Sequence, residues 1–353
     1  SRGLGDVYKR QAYTGTSMST LRRMAVATVI AVGFCLLASA VDAAEKITIM
    51  VGGEDKIIYL PVLLATRLGY FTQQGLDVAV VTEPAGVNAE DEMIAGSVQG
   101  VVGFYDHTID LQSKGTEVES LVQFSDVPGE VELVSTRQSE KINSPIDFQG
   151  KSLGVTGLGS STDFLTQYLA SKMGLDRDDY RLVPVDAGKT FISAMRQHLI
   201  VAGMTTDPTA VELLSTGEAK VLVDLRTEAG TRDALGDIYP AACLYMPMAW
   251  VNAHRDEAGK LVKALVQALR YMHAHSAEQI VDQLPRNYYD GKKALYVAAL
   301  KSFLPMFTTD GRMPAGGPQA VLKVLSAIMP AVKAADVDLS KTYTAAFVDS
   351  AAR

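Results

Sequence analysis

The stretch from Lys151 to Asp163, KSLGVTGLGSSTD, combines a buried-strand pattern, a glycine turn and a helix start rich in hydroxyl side chains. A helix that starts at Ser160, Ser161 and Thr162 would direct unpaired backbone N–H groups and the positive end of its dipole at one point. Such a point can bind a small anion without a dedicated cation. The segment is therefore the first candidate for a binding site.

Two other interpretations of this segment stay open. Ser160 and Asp163 have the S-x-x-D spacing of a capping box, in which side chains satisfy the backbone N–H groups at a helix start. Gly157 and Gly159 match two glycines of a dinucleotide-binding fingerprint, but Thr162 stands where the third glycine belongs. Because the fingerprint is incomplete, we predict that the protein binds no cofactor.

A second loop with side chains suited to binding is GFYDHTI, at residues 103–109. Tyr105 offers a flat amphipathic surface, and Asp106 is a candidate helix N-cap. His107 and Thr108 add hydrogen-bonding groups at the same helix start. Ligands of α/β proteins bind beyond the carboxyl ends of the strands, so we expect these four residues to contact a ligand.

Three further loops lie between a predicted strand and a predicted helix. They are Tyr59–Pro61, Asp186–Lys189 and Met204–Pro208, the last of which contains Thr206 and Asp207. Each loop alone is compatible with a purely structural role. Because the five loops come from both halves of the chain, we predict that they face one ligand cleft.

The sequence lacks the familiar motifs of nucleophilic and metal chemistry. It contains no Gly-x-Ser-x-Gly elbow and no Cys–His pair with a plausible base. His273 and His275 are two residues apart on a predicted helix, so they point to different faces and make poor metal partners. We therefore predict that the protein holds no metal and is not an enzyme.

Strands alternate with helices along most of the chain, which predicts an α/β fold with parallel sheets. One α/β unit ends near Phe124, and a second begins near Ser152. The apolar segments Glu130–Ser135 and Ala242–Val251 are expected to be strands that connect the two units. The chain then continues in helices, of which Glu257–His275 has an amphipathic spacing.

Residues 18–43 have the three-part pattern of a secretory signal peptide. Two arginines precede the apolar run Met24–Ala38, which is too short to span a bilayer comfortably, and we expect a cut before Ala44 or Glu45. Residues 1–17 resemble a read-through segment that is not native, and we leave them out of the fold prediction. The mature protein is therefore expected in the periplasm.

The composition of the mature chain excludes some classes of partner. The 353-residue sequence has a formal charge of −7, and removal of residues 1–43, with their five basic and two acidic residues, makes it −10. An acidic chain without a basic run is a poor partner for nucleic acid or anionic membranes. Only Cys243 is left after cleavage, so no intrachain disulfide can form. About 310 residues remain, enough for two lobes of ordinary size.

From Ile47 to about Tyr245 the chain resembles the periplasmic substrate-binding proteins of the nitrate/sulfonate/taurine class of ABC importers. The segments that carry this resemblance are YLP at 59–61, LGYF at 68–71, GLDV at 75–78, GFYDHT at 103–108, DFQGK at 147–151, GVTG at 154–157, GSSTD at 159–163 and DLRT at 224–227. The resemblance implies the type II periplasmic-binding-protein fold, with two α/β lobes, two crossing strands and a ligand cleft between the lobes.

The resemblance also implies a division of the chain and a function. Residues 44–136 and 241–353 would form the first lobe, and residues 137–240 the second. The cleft would be lined by Tyr59, Tyr105, Ser160, Ser161, Thr162 and Asp207. The expected function is capture of a small organic anion, such as a sulfonate or carboxylate, and its delivery by a monomeric protein to an ABC permease in the inner membrane.

Three alternatives remain open at this point. Some relatives bind a pyrimidine precursor of thiamine, and a eukaryotic branch synthesises that pyrimidine, although the first loop Gly52–Lys56 and the lack of a cysteine cluster differ from those branches. A sensor domain that docks on a receptor would have the same fold. Finally, Glu83, Asp106, Asp186 and Asp207 could favour a cationic or neutral nitrogen compound over an anion.

Overall fold

The computed structural model describes residues 46–137, 141–289 and 291–351. The predicted signal peptide and the segment 1–17 lie outside these residues. No helix within the described ranges is long and apolar enough to cross a membrane.

Ten strands of the described chain form two five-stranded sheets. The strands are β1 (Lys46–Val51), β2 (Asp77–Thr82), β3 (Gly100–Phe104), β4 (Val118–Gln123), β5 (Glu130–Ser135), β6 (Ser152–Val155), β7 (Arg181–Pro184), β8 (Ala202–Thr206), β9 (Ala219–Leu225) and β10 (Ala242–Pro247). The first sheet has the order β2-β1-β3-β10-β4, and the second has the order β7-β6-β8-β5-β9.

The two sheets are built in the same way. In each, the first three strands of the order are parallel to one another, and the strand that the chain forms after crossing over, β10 or β5, pairs antiparallel with both of its neighbours. The central strands β3 and β8 are buried along their whole length, as expected for strands covered on both faces by helices. The edge strand β2 is only partly buried.

Helices cover the sheets and continue to the C-terminal end of the described chain. They are α1 (Leu60–Arg67), α2 (Tyr70–Gln73), α3 (Gly86–Ile94), α4 (Asp106–Ser113), α5 (Ser161–Lys172), α6 (Lys189–Arg196), α7 (Thr209–Ser215), α8 (Glu228–Leu235), α9 (Met248–Ala253), α10 (Arg255–Ala274), α11 (Ala277–Val281), α12 (Lys293–Phe303), α13 (Gly317–Ile328), α14 (Pro330–Ala334) and α15 (Ala346–Ala351). The apolar stripe of α10, which includes Leu261, Leu265 and Leu269, is buried, and α10 packs on α1 and α15.

The chain passes between the sheets twice, once between β4 and β5 and once between α8 and β10. The segments that the sequence suggested as connecting strands are β5 and β10. Each lies inside the sheet that the chain has just reached, because its backbone pairs there with strands on both sides. The chain thus enters the second sheet at Glu130, before the expected lobe boundary at residue 137.

Candidate functional site

Loops from both lobes meet at a small cavity, which we call the inner pocket. It lies at the carboxyl ends of β1, β3, β6 and β8 and beside the start of β5, and its volume is about 10 Å³. Its lining residues are Lys56, Ile58, Tyr59, Gly86, Phe104, His107, Glu130, Thr156, Ser160, Ser161 and Thr206.

A second cavity, which we call the outer chamber, has a volume of about 450 Å³. It is lined by Asp55, Ala187, Gly188, Lys189, Pro208, Thr209, Glu212, Asn287, Tyr288, Tyr289, Lys292, Leu295 and Tyr296. Lys292, which precedes α12, forms an ion pair of 2.6 Å with Glu212 of α7 in the second lobe. The volume falls in the range of small-molecule sites.

Asp106 connects the two lobes and the returning crossover. Its Oδ1 accepts a hydrogen bond of 2.9 Å from the Ser161 hydroxyl of the second lobe, and its Oδ2 accepts one of 2.8 Å from Tyr239, just before β10. Burial raises the pKa of the Asp106 carboxyl, and His107 and these two hydroxyl donors oppose that rise. Ile57 adds a backbone bond between the lobes, from its N–H to the Asp207 carbonyl, at 3.0 Å.

His107 is a buried cation held by carboxylates. Its Nδ1 contacts Glu90 Oε2 on α3, its Nε2 lies 4.0 Å from Asp106 Oδ1, and its ring stacks on Tyr245 with centroids 6.3 Å apart. Burial alone would lower the pKa of His107, but Glu90 and Asp106 outweigh that effect and raise the pKa to about 9. The charge of the imidazolium is therefore paired with the carboxylate of Glu90 at the pocket wall.

Lys56 is the second buried basic group of the inner pocket. Its Nζ donates hydrogen bonds to the carbonyl oxygens of Gly52, at 2.5 Å, and Pro84, at 3.1 Å. Burial lowers the pKa of the Lys56 ammonium, although nearby carboxylates oppose this. An ammonium group has three N–H donors, so one remains for a further acceptor.

The hydroxyl cluster at the start of α5 is bonded mainly to itself. The Thr156 hydroxyl donates to Ser160 Oγ at 3.1 Å, the Ser160 hydroxyl donates to the Gly157 carbonyl at 2.7 Å, and Thr162 Oγ1 accepts from the Thr156 N–H at 2.9 Å. The capping box suggested by the S-x-x-D spacing does not form: Ser160 caps no N–H group of the helix, and Asp163 Oδ2 accepts from the Gly159 N–H at 2.6 Å. The first backbone N–H groups of α5 thus receive no side-chain cap.

Two tyrosines that the sequence placed in the site have different surroundings. Tyr59 lines the inner pocket and meets Phe104 edge-to-face, with ring centroids 6.3 Å apart. Tyr105 is buried on the other side of its loop, where its hydroxyl bonds to Thr342 and its ring contacts Tyr343. Tyr105 thus contributes packing against the C-terminal segment at this position.

Thr206 and Asp207, at the end of β8, contribute in different ways. The Thr206 hydroxyl lines the inner pocket and donates to the Gly129 carbonyl at 2.9 Å. Asp207 is buried; its Oδ1 accepts from the Val211 N–H at 2.6 Å, and its Oδ2 lies 3.4 Å from the guanidinium of Arg226. The carboxylate of Asp207 therefore stabilises the loop between β8 and α7.

The inner pocket thus brings together five of the ten residues expected from the sequence: Tyr59, His107, Ser160, Ser161 and Thr206. Asp106 accepts a hydrogen bond from one of these five, Ser161. Tyr105, Thr108, Thr162 and Asp207 are outside the pocket lining, and the Thr108 hydroxyl donates to the Tyr105 carbonyl. Asp106 is the first residue of α4 and not its N-cap, because Tyr105 occupies that position.

A sequence model described as NMT1/THI5 like matches residues 58–279. The chain belongs to this family. A solved structure from Bordetella bronchiseptica RB50 is 33% identical, with a TM-score of 0.84 over 87% of this chain and 96% of that one. The alkanesulfonate-binding protein SsuA from Xanthomonas axonopodis pv. citri, solved with bound MOPS, is 17% identical with a TM-score of 0.66 over 85% of this chain and 98% of that one. The second likeness confirms the predicted fold of periplasmic binding proteins.

Curated relatives of this chain correct one prediction. The 4-amino-5-hydroxymethyl-2-methylpyrimidine phosphate synthase THI11 of Saccharomyces cerevisiae is 30% identical over 144 residues, which are 39% of this chain and 40% of that protein. The prediction that the chain is not an enzyme is therefore contradicted, because this relative carries the name of an enzyme. The chain matches less than half of that relative's length.

Proposed function

We propose that this chain is the periplasmic solute-binding component of an ABC importer, which captures a small organic solute between its lobes and delivers it to a membrane permease. The observation that carries the proposal is the hydrogen bond from Ser161 of one lobe to Asp106 of the other, at the edge of a pocket lined by both. Contacts of this kind form when two lobes close around a ligand. The structural similarity to the alkanesulfonate-binding protein SsuA supports the same role.

The inner pocket has groups for an acidic part of the solute. The remaining N–H donor of Lys56, the ring of His107 and the uncapped start of α5 are the groups that could bind it, and they come from both lobes. The outer chamber, with Tyr288, Tyr289 and Tyr296, offers space and flat surface for a larger organic part. We propose an organic anion as the solute, in agreement with the expectation from the sequence.

A thermal-shift screen of purified protein tests the proposal. The panel contains alkanesulfonates, carboxylates, nitrate and pyrimidines, and a ligand that binds only the folded state raises the melting temperature by mass action. We expect at least one organic anion to raise it. An absence of any shift across the sulfonates and carboxylates would contradict the proposal.

The variant Ser161→Ala tests whether a ligand found in the screen binds in the cleft between the lobes. It removes the hydroxyl that donates to the buried Asp106 carboxylate, and hydrogen bonds to charged groups contribute about 1.5–3 kcal/mol. We expect roughly tenfold weaker binding of the best ligand by calorimetry. Ser350→Ala, at an exposed serine of α15, is the matched control, and equal affinity in the two variants would place the ligand elsewhere.

A second candidate is a synthase of a pyrimidine phosphate. The names of the curated relatives favour it, and the inner pocket contains a buried amine, an imidazolium and a carboxyl group, at Lys56, His107 and Glu130. These are groups that can transfer protons. Mass spectrometry of the protein and its small-molecule extract, before and after incubation with candidate precursors, tests this activity through formation of a pyrimidine phosphate.

A further inference from the structure

Glu130 is a buried carboxyl group that faces the inner pocket without a partner. It is the first residue of β5, where the chain enters the second lobe, and the residue is 4% exposed. Within the described residues its Oε2 has no hydrogen-bond partner. Because nearly all buried polar atoms are hydrogen-bonded, this oxygen marks a position where a bound molecule can donate a hydrogen bond.

The donors around the pocket are directed at other acceptors. Lys56 Nζ donates to two backbone carbonyl oxygens, the Thr206 hydroxyl donates to the Gly129 carbonyl, and the Ser161 hydroxyl donates to Asp106. None of these bonds reaches Glu130. The unpaired oxygen is therefore not satisfied by a side chain of the pocket wall.

The electrostatic surroundings of Glu130 favour a donor or a cation. Burial raises the pKa of this carboxyl well above its usual range, the neighbouring Asp106 and Glu132 raise it further, and Lys56 only partly compensates. An N–H donor at Oε2 would stabilise the charged carboxylate and offset its burial.

The size of the pocket limits what can bind there. A volume of about 10 Å³ accommodates one group of about the size of a water molecule. A single amino or ammonium nitrogen fits this description, whereas a ring, or an acidic group beside that nitrogen, requires the lobes to separate further.

We propose that Glu130 determines the specificity of the cleft by accepting a hydrogen bond from an amino or ammonium group of the solute. This inference rests on the proposed solute-binding function and narrows its ligands to molecules that carry an N–H donor together with their acidic or aromatic part.

Matched pairs of compounds that differ in one amino group test the inference on the unmodified protein. The pairs are propanesulfonate and 3-aminopropanesulfonate, butanoate and 4-aminobutanoate, and pyrimidine and 4-aminopyrimidine. We expect the amino member of at least one pair to bind at least about tenfold tighter by calorimetry. If the members without the amino group bind as well or better, the inference is wrong and solute binding stands. If no compound binds, the proposed function fails and the inference fails with it.

Substitutions at two residues of β5 test whether Glu130 causes the preference for amino compounds. Glu130→Gln keeps the size of the side chain but removes the anionic acceptor, and we expect it to abolish the preference for the amino member. Glu132→Gln, two residues along β5 and outside the pocket lining, should keep that preference. Circular dichroism confirms that both variants fold, and a preference that survives in Glu130→Gln would overturn the assignment.

Discussion

At the scale of single residues, two buried carboxyl groups on β5 have different surroundings. Glu130 faces the inner pocket, whereas Glu132 faces α5 and accepts a hydrogen bond of 3.0 Å from the Thr166 hydroxyl. Burial raises the pKa of Glu132 to about 8, and the bond from Thr166 opposes this rise only in part. Within the described residues Oε1 of Glu132 also has no hydrogen-bond partner, so the two carboxyl groups differ in that only Glu130 lines the inner pocket.

The raised pKa of Glu132 predicts how stability depends on pH. The folded protein keeps the Glu132 proton up to about pH 8, whereas the unfolded chain loses it near pH 4.5, so stability falls as pH rises through this range. In Glu132→Gln we expect a shallower decline and, at pH 8, a free energy of unfolding higher by on the order of 2 kcal/mol. Urea unfolding at several pH values measures this, with the exposed Glu117→Gln as control. An unchanged slope would show that Glu132 is not the group responsible.

Sequence reasoning found the residues whose position along the chain places them at the carboxyl end of a strand. His107, Ser161 and Thr206 are of this kind and line the inner pocket. Lys56 and Glu130 were missed as pocket residues because nothing in their local sequence shows that the second lobe folds against them. A charged residue at the start of the apolar run EVELV was the one available signal for Glu130.

At the scale of elements, the order of strands and helices was predictable because apolar periodicity and turn residues are local properties. The first and last residues of these elements were harder to predict. β8 runs from Ala202 to Thr206, two residues beyond the apolar run Ile200–Met204 that marks it in the sequence, because its register is set by pairing with β5 and β6. The direction in which Tyr105 points could not be predicted either, because its hydroxyl bonds to Thr342 in the C-terminal segment, which is distant in sequence.

The contact between the end of β1 and the start of α3 depends on glycine. A Cβ atom on Gly52 would lie 2.7 Å from the Cα of Gly86, which is closer than real atoms allow. We expect Gly52→Ala to lower the free energy of unfolding by about 1–3 kcal/mol, since backbone must move to make room. Chemical unfolding measures the loss.

A second glycine provides the matched control for this prediction. Gly259 lies inside α10, where a new Cβ would meet Phe347 at an ordinary 3.6 Å. Gly259→Ala should therefore raise stability by about 0.5–1 kcal/mol, because alanine is the better helix former. Equal destabilisation by both substitutions would show that close approach is not the cause at Gly52.

At the scale of the whole molecule, the ion pair between Glu212 and Lys292 connects the second lobe to the segment before α12. Charge reversal in Lys292→Glu places two carboxylates together, and an exposed pair contributes up to about 1 kcal/mol. We expect a roughly two- to fivefold shift towards open lobes, seen as a larger radius of gyration in solution scattering.

The double reversal should restore the closed form, since Glu212→Lys with Lys292→Glu reconstitutes an attractive pair. Reversal of the Asp256–Lys260 pair, which lies within α10, should leave the radius of gyration unchanged. If the double variant stays as open as the single one, the pair does not hold the lobes together.

Asp106 receives one hydroxyl from the second lobe and one from the returning crossover. Whenever the lobes part, this carboxyl group must exchange the Ser161 hydroxyl for water while it keeps the Tyr239 hydroxyl. The stretching frequency of a carboxyl group depends on the bonds it accepts, so infrared spectroscopy of this one side chain would follow each opening of the protein without an attached dye.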